Sequence, residues 1–214
     1  MFCSLDFINR LDNPLILYTD MKKLLMVIAC ICGLTLYASA QEQIEFKLQP
    51  DATFVAPDGG TYAVIEYEGK TAEELYSMVK SNVMTLYKSP DNVMSENPHI
   101  SISIRAYSDR IGSKVVSFIP RVFTGYYNLI FRFKDGKIRV DAPVIDNTIA
   151  DRDNMLDIIY IPSFKNLVKG YYKDGKPKDK SHAYIMMTEQ SVNLPINYLL
   201  GLIKTESNDT NDDW

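Results

Sequence analysis

Hydrophobic and polar positions alternate along much of this chain, and the period of the alternation changes at defined points. Ile44, Phe46 and Leu48 alternate with polar neighbours and predict a short strand, which Gln49-Pro50-Asp51 ends. Pro57-Asp58-Gly59-Gly60 is a turn signal. A second strand follows over Tyr62 to Glu68, with Ala63, Ile65 and Tyr67 on one face and Tyr62, Val64 and Glu66 on the other. The period then becomes helical. Thr71-Ala72-Glu73-Glu74 has the form of a capping box, and Leu75, Met78, Val79, Val83 and Leu86 recur as one apolar stripe. This predicts a helix of about 17 residues ending before Pro90, acidic at its start and basic at its end.

Residues 99–146 return to a period of two. Ile100, Ile102, Ile104 and Ala106 alternate with Ser101, Ser103, Arg105 and Tyr107, and a further strand, Val115 to Ile119, is closed by Pro120. Within Tyr126 to Asp146, Asp135-Gly136 is the preferred pair for a two-residue type I′ hairpin. That turn sets a register in which Phe133 meets Ile138, Phe131 meets Val140 and Leu129 meets Ala142. Asp157 to Ile161 reads as a strand and Lys173 to Ser181 as a mobile basic loop. Asn193 to Lys204 reads as a second helix, with Pro195 in its first turn and Ile196, Leu199, Leu200 and Ile203 as its stripe. The expected fold class is α+β: an antiparallel sheet of about five strands in β-α-β-β-β-β order, a helix on one face, and a C-terminal helix.

The N-terminus reads as an address. Met21, Lys22 and Lys23 precede an apolar run of 14 residues, Leu24 to Tyr37, and then Ala38-Ser39-Ala40. A basic start, a run of that length and small residues at the end are the parts of a secretory signal peptide. The run is short of the roughly 20 apolar residues a spanning helix needs. Residues 1–20 place Asp6, Asp12 and Asp20 where such a signal wants base, and read as a mis-assigned start or an extended leading region. Cleavage between Ala40 and Gln41 would leave 174 of the 214 residues and none of the three cysteines. A rival reading takes Val27-Ile28-Ala29-Cys30 as a lipobox with Cys30 acylated, although Ile31 to Tyr37 prolong the apolar run beyond it. Export with the chain periplasmic or secreted, or anchored by lipid in the outer membrane, is the expected localisation. The domain plan that follows is 1–20 leading region, 21–40 signal, 41–61 strand and turn, 62–146 α+β domain, 147–205 extension with helix, and 206–214 acidic tail.

Gly69-Lys70-Thr71-Ala72-Glu73-Glu74-Leu75-Tyr76 after a strand, followed by strands ending in Tyr127 to Arg139, resembles a known family. It is the domain-of-unknown-function family of secreted Gram-negative proteins described as having a TATA-binding-protein-like (TBP-like) fold. The match covers residues 62–146. The resemblance implies an antiparallel sheet with a helix on one face, and it supplies no catalytic residues.

Catalytic signatures are sparse. Gly69-Lys70-Thr71 looks like the end of a phosphate-binding loop, but Val64 stands where the required glycine would be. His99 and His182 are far apart and lack the acid–base spacing of a zinc protease. No G-x-S-x-G occurs. Asp151, Asp153 and Asp157 suggest a calcium loop, but Leu156 replaces its glycine and Met155 its fifth ligand. No catalytic residue, metal site or cofactor is assigned. With 23 basic and 27 acidic residues the net charge is −4, which gives no pull toward nucleic acid.

One feature exceeds this background. In the hairpin register Lys134 opposes Lys137 and Arg132 opposes Arg139 on the polar face, and Arg105 joins them if its strand is a neighbour. Two readings stand. One is an anion site for an acidic glycan, a lipid phosphate or an acidic protein; the other is a solvated face neutralised by Glu66, Glu68 and Asp141. Twelve of the 14 tyrosines fall after residue 40, where exposed ones suit sugar stacking and half-buried ones suit strands. The function class expected is an exported, non-catalytic binding module of the cell envelope. Its alternative is an envelope hydrolase with a site built from scattered polar residues.

Overall fold

A computed structural model of the chain describes residues 43–152 and 163–203. They belong to one compact unit, Glu42–Trp214. Its frame is a six-stranded antiparallel sheet with two helices on one face, so the α+β class holds. Two short strands, β1 (Lys47–Leu48) and β2 (Phe54–Val55), pair with each other outside that sheet. The sheet itself is built from β3 (Tyr62–Glu66), β4 (Met94–Asn97), β5 (Ser101–Val116), β6 (Ile119–Lys134), β7 (Lys137–Asp141) and β8 (Val144–Asp151). Its order is β3-β7-β6-β5-β4, with β8 pairing the first half of β6 on the same side as β7 pairs its end.

Alternation decides which face is covered. Ile102, Ile104 and Ala106 of β5, Leu129, Phe131 and Phe133 of β6, and Ile138 and Val140 of β7 are all buried on one face. Helix α1 (Ala72–Leu86) lies on this face with Leu75, Tyr76, Val79 and Val83 buried. Its predicted cap is present: Glu74 N donates to Thr71 Oγ1 at 3.2 Å, and Thr71 N to Glu74 Oε2 at 2.9 Å. The helix is 15 residues long and its last turn holds no basic residue, because Lys88 lies beyond the end; the expected basic terminus is corrected. A four-residue helix, α2 (Pro90–Val93), leads into β4.

The 135–136 hairpin keeps the expected register at Phe133–Ile138 and Phe131–Val140. Leu129 and Ala142 do not pair, since from Asn128 back toward Phe123 the neighbour of β6 is β8. The turn is also not type I′, which needs positive φ at both central residues. Gly136 has φ +75°, but Asp135 is outside the left-handed region. The Asp135 carboxylate instead accepts from Ala72 N at 2.8 Å and so helps to cap α1.

Pro120 does not close a strand. The long hairpin of β5 and β6 turns at Ser117-Phe118, and Pro120 sits in β6 opposite Val115. Both turn residues are left-handed, at φ 50° and 67°, so the type I′ geometry occurs here without glycine. The ladder slips between Ser108 and Gly112. There Gly112 lets α3 (Phe164–Lys169), Tyr171 and α4 (His182–Leu199) approach: a Cβ on it would lie 3.0 Å from Leu167 Cδ2 and 3.0 Å from Tyr171 Oη.

The segment expected to be a loop, 173–181, contains β9 (Tyr172–Lys173) and β10 (Lys176–Pro177) around a left-handed Asp174-Gly175 turn, then a short 3-10 helix, Asp179–Ser181. Helix α4 begins eleven residues before the predicted start, and Pro195 is in its interior, where it removes the N–H that would reach the Ser191 carbonyl. The strand expected over Asp157 to Ile161 lies outside the described residues.

A side-chain ladder joins the two ends of the unit. Asn197 accepts from Ile44 N at 2.8 Å and donates to Ile44 O at 2.8 Å. Asn193 does the same for Phe46, at 2.9 Å and 3.0 Å, and Glu189 accepts from Leu48 N at 3.0 Å. Four residues of helix rise about 6 Å and two residues of extended chain about 6.7 Å, so three successive side chains of α4 serve the three alternate residues Ile44, Phe46 and Leu48, of which only the last lies in β1. Ile44, Phe46 and Leu48 thereby enter the same core as Val192, Ile196 and Leu199.

Candidate functional site: the open face of the sheet

The polar half of the alternation stands on the second face of the sheet. All five predicted basic residues are exposed. Arg132 and Arg139 are cross-strand partners, as are Lys134 and Lys137. Like charges opposed in this way cost stability, and here a shared acid offsets them. Asp141 accepts from Arg132 Nε at 3.1 Å through one oxygen and from Arg139 Nε at 2.7 Å through the other. Two guanidiniums thus share one carboxylate and keep a net positive charge. Both bonds use Nε, so among the described residues no hydrogen bond occupies the Nη groups of either arginine. Tyr62 of β3 lies opposite Asp141, and the Arg139 guanidinium sits 4.0 Å from its ring centroid.

Arg105 forms a separate cluster. Its strand does neighbour β6, but it faces Asn128, four residues or about 13 Å along the strand from Arg132. Its guanidinium donates to Asp146 at 2.5 Å and lies 4.2 Å from the Tyr126 centroid, while Asn128 donates to the other oxygen of Asp146 at 2.9 Å. Tyr107 packs edge-on against Tyr126. The face therefore bears two arginine–carboxylate–tyrosine groups, with Val64 and Val144 exposed among them. Tyr62, Tyr107, Tyr126 and Asp146 were missed as site residues. The alternation places Tyr62 and Tyr107 on outer faces, but the pairing of β3 with β7 and of β8 with β6 is long-range and leaves no local signal.

The other candidates resolve as follows. The amides at the start of α1 are engaged by Thr71, Glu74 and Asp135, and Gly136 N donates to Lys70 O at 2.7 Å, so Gly69-Lys70-Thr71 is a capped helix start. His99 lies beside Tyr76, with ring centroids 5.2 Å apart, and His182 opens α4. Among the described residues no three His, Cys, Asp or Glu side chains gather as a metal site. Asp151 pairs with Arg121 at 3.2 Å. Asp153, Asp157, Cys30, Ala40 and Gln41 lie outside the described residues. No described helix is long and apolar enough to cross a membrane.

Two depressions are open to solvent. One of about 410 Å³ lies between β4 and the open face and has Arg105 as its single ionisable group, beside Ser95, Ser103 and Asn128. The other, of about 670 Å³, is lined by Lys173, Lys176, Lys178, Asp174 and Asp179. Displaced titrations lie elsewhere. The Tyr76 hydroxyl, then the Lys80 ammonium, hold the Glu96 carboxyl below its ordinary range; Lys80 is held high, chiefly by its bond to Glu96. Burial pushes the hydroxyls of Tyr67, Tyr171 and Tyr172 up to about 12. Each is spent on a carbonyl: Tyr67 on Leu200, Tyr171 on Ser113 and Tyr172 on Leu48.

No family model matches the sequence, and no curated protein does. Two solved structures are similar. A TBP-like protein from Parabacteroides distasonis is 11% identical with a TM-score of 0.45, over 66% of this chain and 89% of that one. A DUF4468 family protein from Bacteroides ovatus is 10% identical with a TM-score of 0.45, over 79% of this chain and 95% of that one.

Proposed function

We propose that this chain is an exported, non-catalytic interaction module of the cell envelope, related to the TBP-like family it resembles, which takes an anionic partner on its open sheet face. The observation that carries the reading is the pair Arg132 and Arg139, which share the single carboxylate of Asp141 next to Lys134 and Lys137. Their unused amino groups can present parallel N–H donors to a carboxylate or phosphate, which lysine cannot do with the same geometry. Arginine and exposed tyrosine together are the residues enriched where protein interfaces hold their energy. The partner class is an anionic glycan, a lipid phosphate or an acidic protein, and these have in common the oxyanion the arginines would grip.

Calorimetric titration of the Glu42–Trp214 unit with oligogalacturonate, a polycarboxylate, and separately with inorganic pyrophosphate tests the reading. Binding that weakens with salt and is lost in Arg132→Ser/Arg139→Ser is expected. Absence of binding to both probes, or undiminished binding by the variant, would overturn it. Export is tested by the N-terminal residue and intact mass of the protein from its native cells: a start at Gln41 means soluble export, an acylated Cys30 means a lipoprotein, and a chain beginning upstream of both refutes export by this route.

A further inference from the structure

The tip of the β5–β6 hairpin has the opposite character to the open face. Phe118 is 99% exposed, and Val115, Val116 and Ile119 around it are 47%, 45% and 53% exposed. Four large apolar side chains at the end of one ribbon are out of place in water. The backbone is shaped to present them: Ser117 and Phe118 both adopt left-handed φ, which is uncommon for a residue as bulky as phenylalanine. The tip is convex, so its occupant must either yield around it or supply a pocket.

Charge decides between these. Lys114 stands at the base of the tip, and its ammonium lies against Gly170, whose added Cβ would be 3.1 Å away. The Lys178 ammonium donates to the carbonyl of the same Gly170 at 2.7 Å. The β9–β10 hairpin is thereby brought to this end of the sheet, with Lys173 and Lys176 facing each other across its turn. Lys173, Lys176 and Lys178 line one depression with Asp174 and Asp179, and Lys114 meets Lys178 at Gly170. Lys114 stands three positions before the turn at Ser117-Phe118, a rise of about 10 Å. An apolar wedge buried some 5–10 Å into the boundary of the acyl chains would hold those lysines at the level of the headgroups.

We infer that this end of the molecule is a membrane-docking site, in which Phe118 and its neighbours enter an anionic lipid surface and the lysines of the two hairpins engage its phosphates. The site is distinct from Arg132 and Arg139 and does not depend on them.

The test is co-sedimentation of the Glu42–Trp214 unit with vesicles of phosphatidylcholine alone and of phosphatidylcholine with one quarter phosphatidylglycerol. Wild type should bind the anionic vesicles and scarcely the neutral ones, with affinity falling as salt rises. Phe118→Asp should weaken binding roughly ten-fold or more, since a whole phenylalanine leaves the lipid. Its thermal unfolding should match wild type, because the side chain touches little in the folded protein. Lys173→Glu/Lys176→Glu should remove the preference for anionic vesicles. The inference is overturned if wild type ignores anionic vesicles, if Phe118→Asp binds unchanged, or if Lys173→Glu/Lys176→Glu keeps the preference for anionic vesicles. A dimer that Phe118→Asp abolishes, without vesicle binding by wild type, would make the tip a contact between copies and overturn it equally.

Discussion

Truncating Asn197 should do more damage than any other polar substitution at the described positions. The side chain is 3% exposed, and among the described residues its amide alone partners both the N–H and the C=O of Ile44. It also donates to Asn193 O at 2.8 Å. Asn197→Ala leaves two backbone groups buried without partners, each costing about 1–2 kcal/mol in lost solvation, the lower part of the usual range. A loss of about 2–4 kcal/mol follows, a large part of the 5–15 kcal/mol a domain of this kind possesses. Asn193→Ala, at a part-buried rung, should cost about half as much. The assay is urea unfolding followed by far-ultraviolet circular dichroism. With a slope of about 2 kcal/mol per molar urea, the Asn197→Ala midpoint should fall by about 1–2 M at unchanged slope. Amide exchange should accelerate at Ile44 and Phe46 in the same variant. A loss under about 0.5 kcal/mol, or unchanged exchange at Ile44, would refute the claim that the ladder holds the first strand in the core.

Gly112→Ala should destabilise by about 1–3 kcal/mol in the same assay, because the new methyl meets Leu167 and Tyr171 at 3.0 Å and the packed helices must shift; a neutral result would mean they give way freely. Arg132→Ser/Arg139→Ser should lose stability at low salt, by no more than about 1 kcal/mol, and less at high salt, because both guanidiniums are paired with Asp141 at the surface. A gain at low salt would mean their mutual repulsion outweighs that acid. Tyr67, Tyr171 and Tyr172 ionise near 12 when folded and near 10 when unfolded, so they stabilise fully below pH 10 and that contribution is lost as pH rises toward 12. Unfolding free energy measured from pH 9 to 12 should therefore fall, and Tyr171→Phe should flatten the slope. At the acid end, Glu96 is held low by Tyr76 and Lys80, so its contribution is present above the ordinary carboxylate value and is lost as pH falls through the lowered one; Glu96→Gln should reduce the dependence there.

What could be read from the sequence was what repeats locally. The Thr71 cap, the stripe of α1, the alternation of β5 to β7 and the 135–136 register each depend on residues a few positions apart, and each is present. The start of α4 was illegible for a definite reason. Its inner face at 188–197 includes Thr188, Glu189, Asn193 and Asn197, polar residues that look like solvent positions until a strand from the other end of the chain occupies them. The 117–118 turn was hidden by chemistry: type I′ turns favour Asn-Gly, and Ser-Phe carries no such mark. At the open face the opposed cations could be read from one turn. The acid between them could only be named among several, and the tyrosines arrived through strand pairings of long range.

Backbone amide resonances of the Glu42–Trp214 unit, followed during titration with oligogalacturonate, report whether the open face around Arg132 and Arg139 receives an anionic partner. Saturable shifts clustered in Tyr62–Glu66, Tyr126–Lys134 and Lys137–Asp141, and absent from Arg132→Ser/Arg139→Ser, are predicted. Shifts centred on other elements, or no shifts at all, would contradict it.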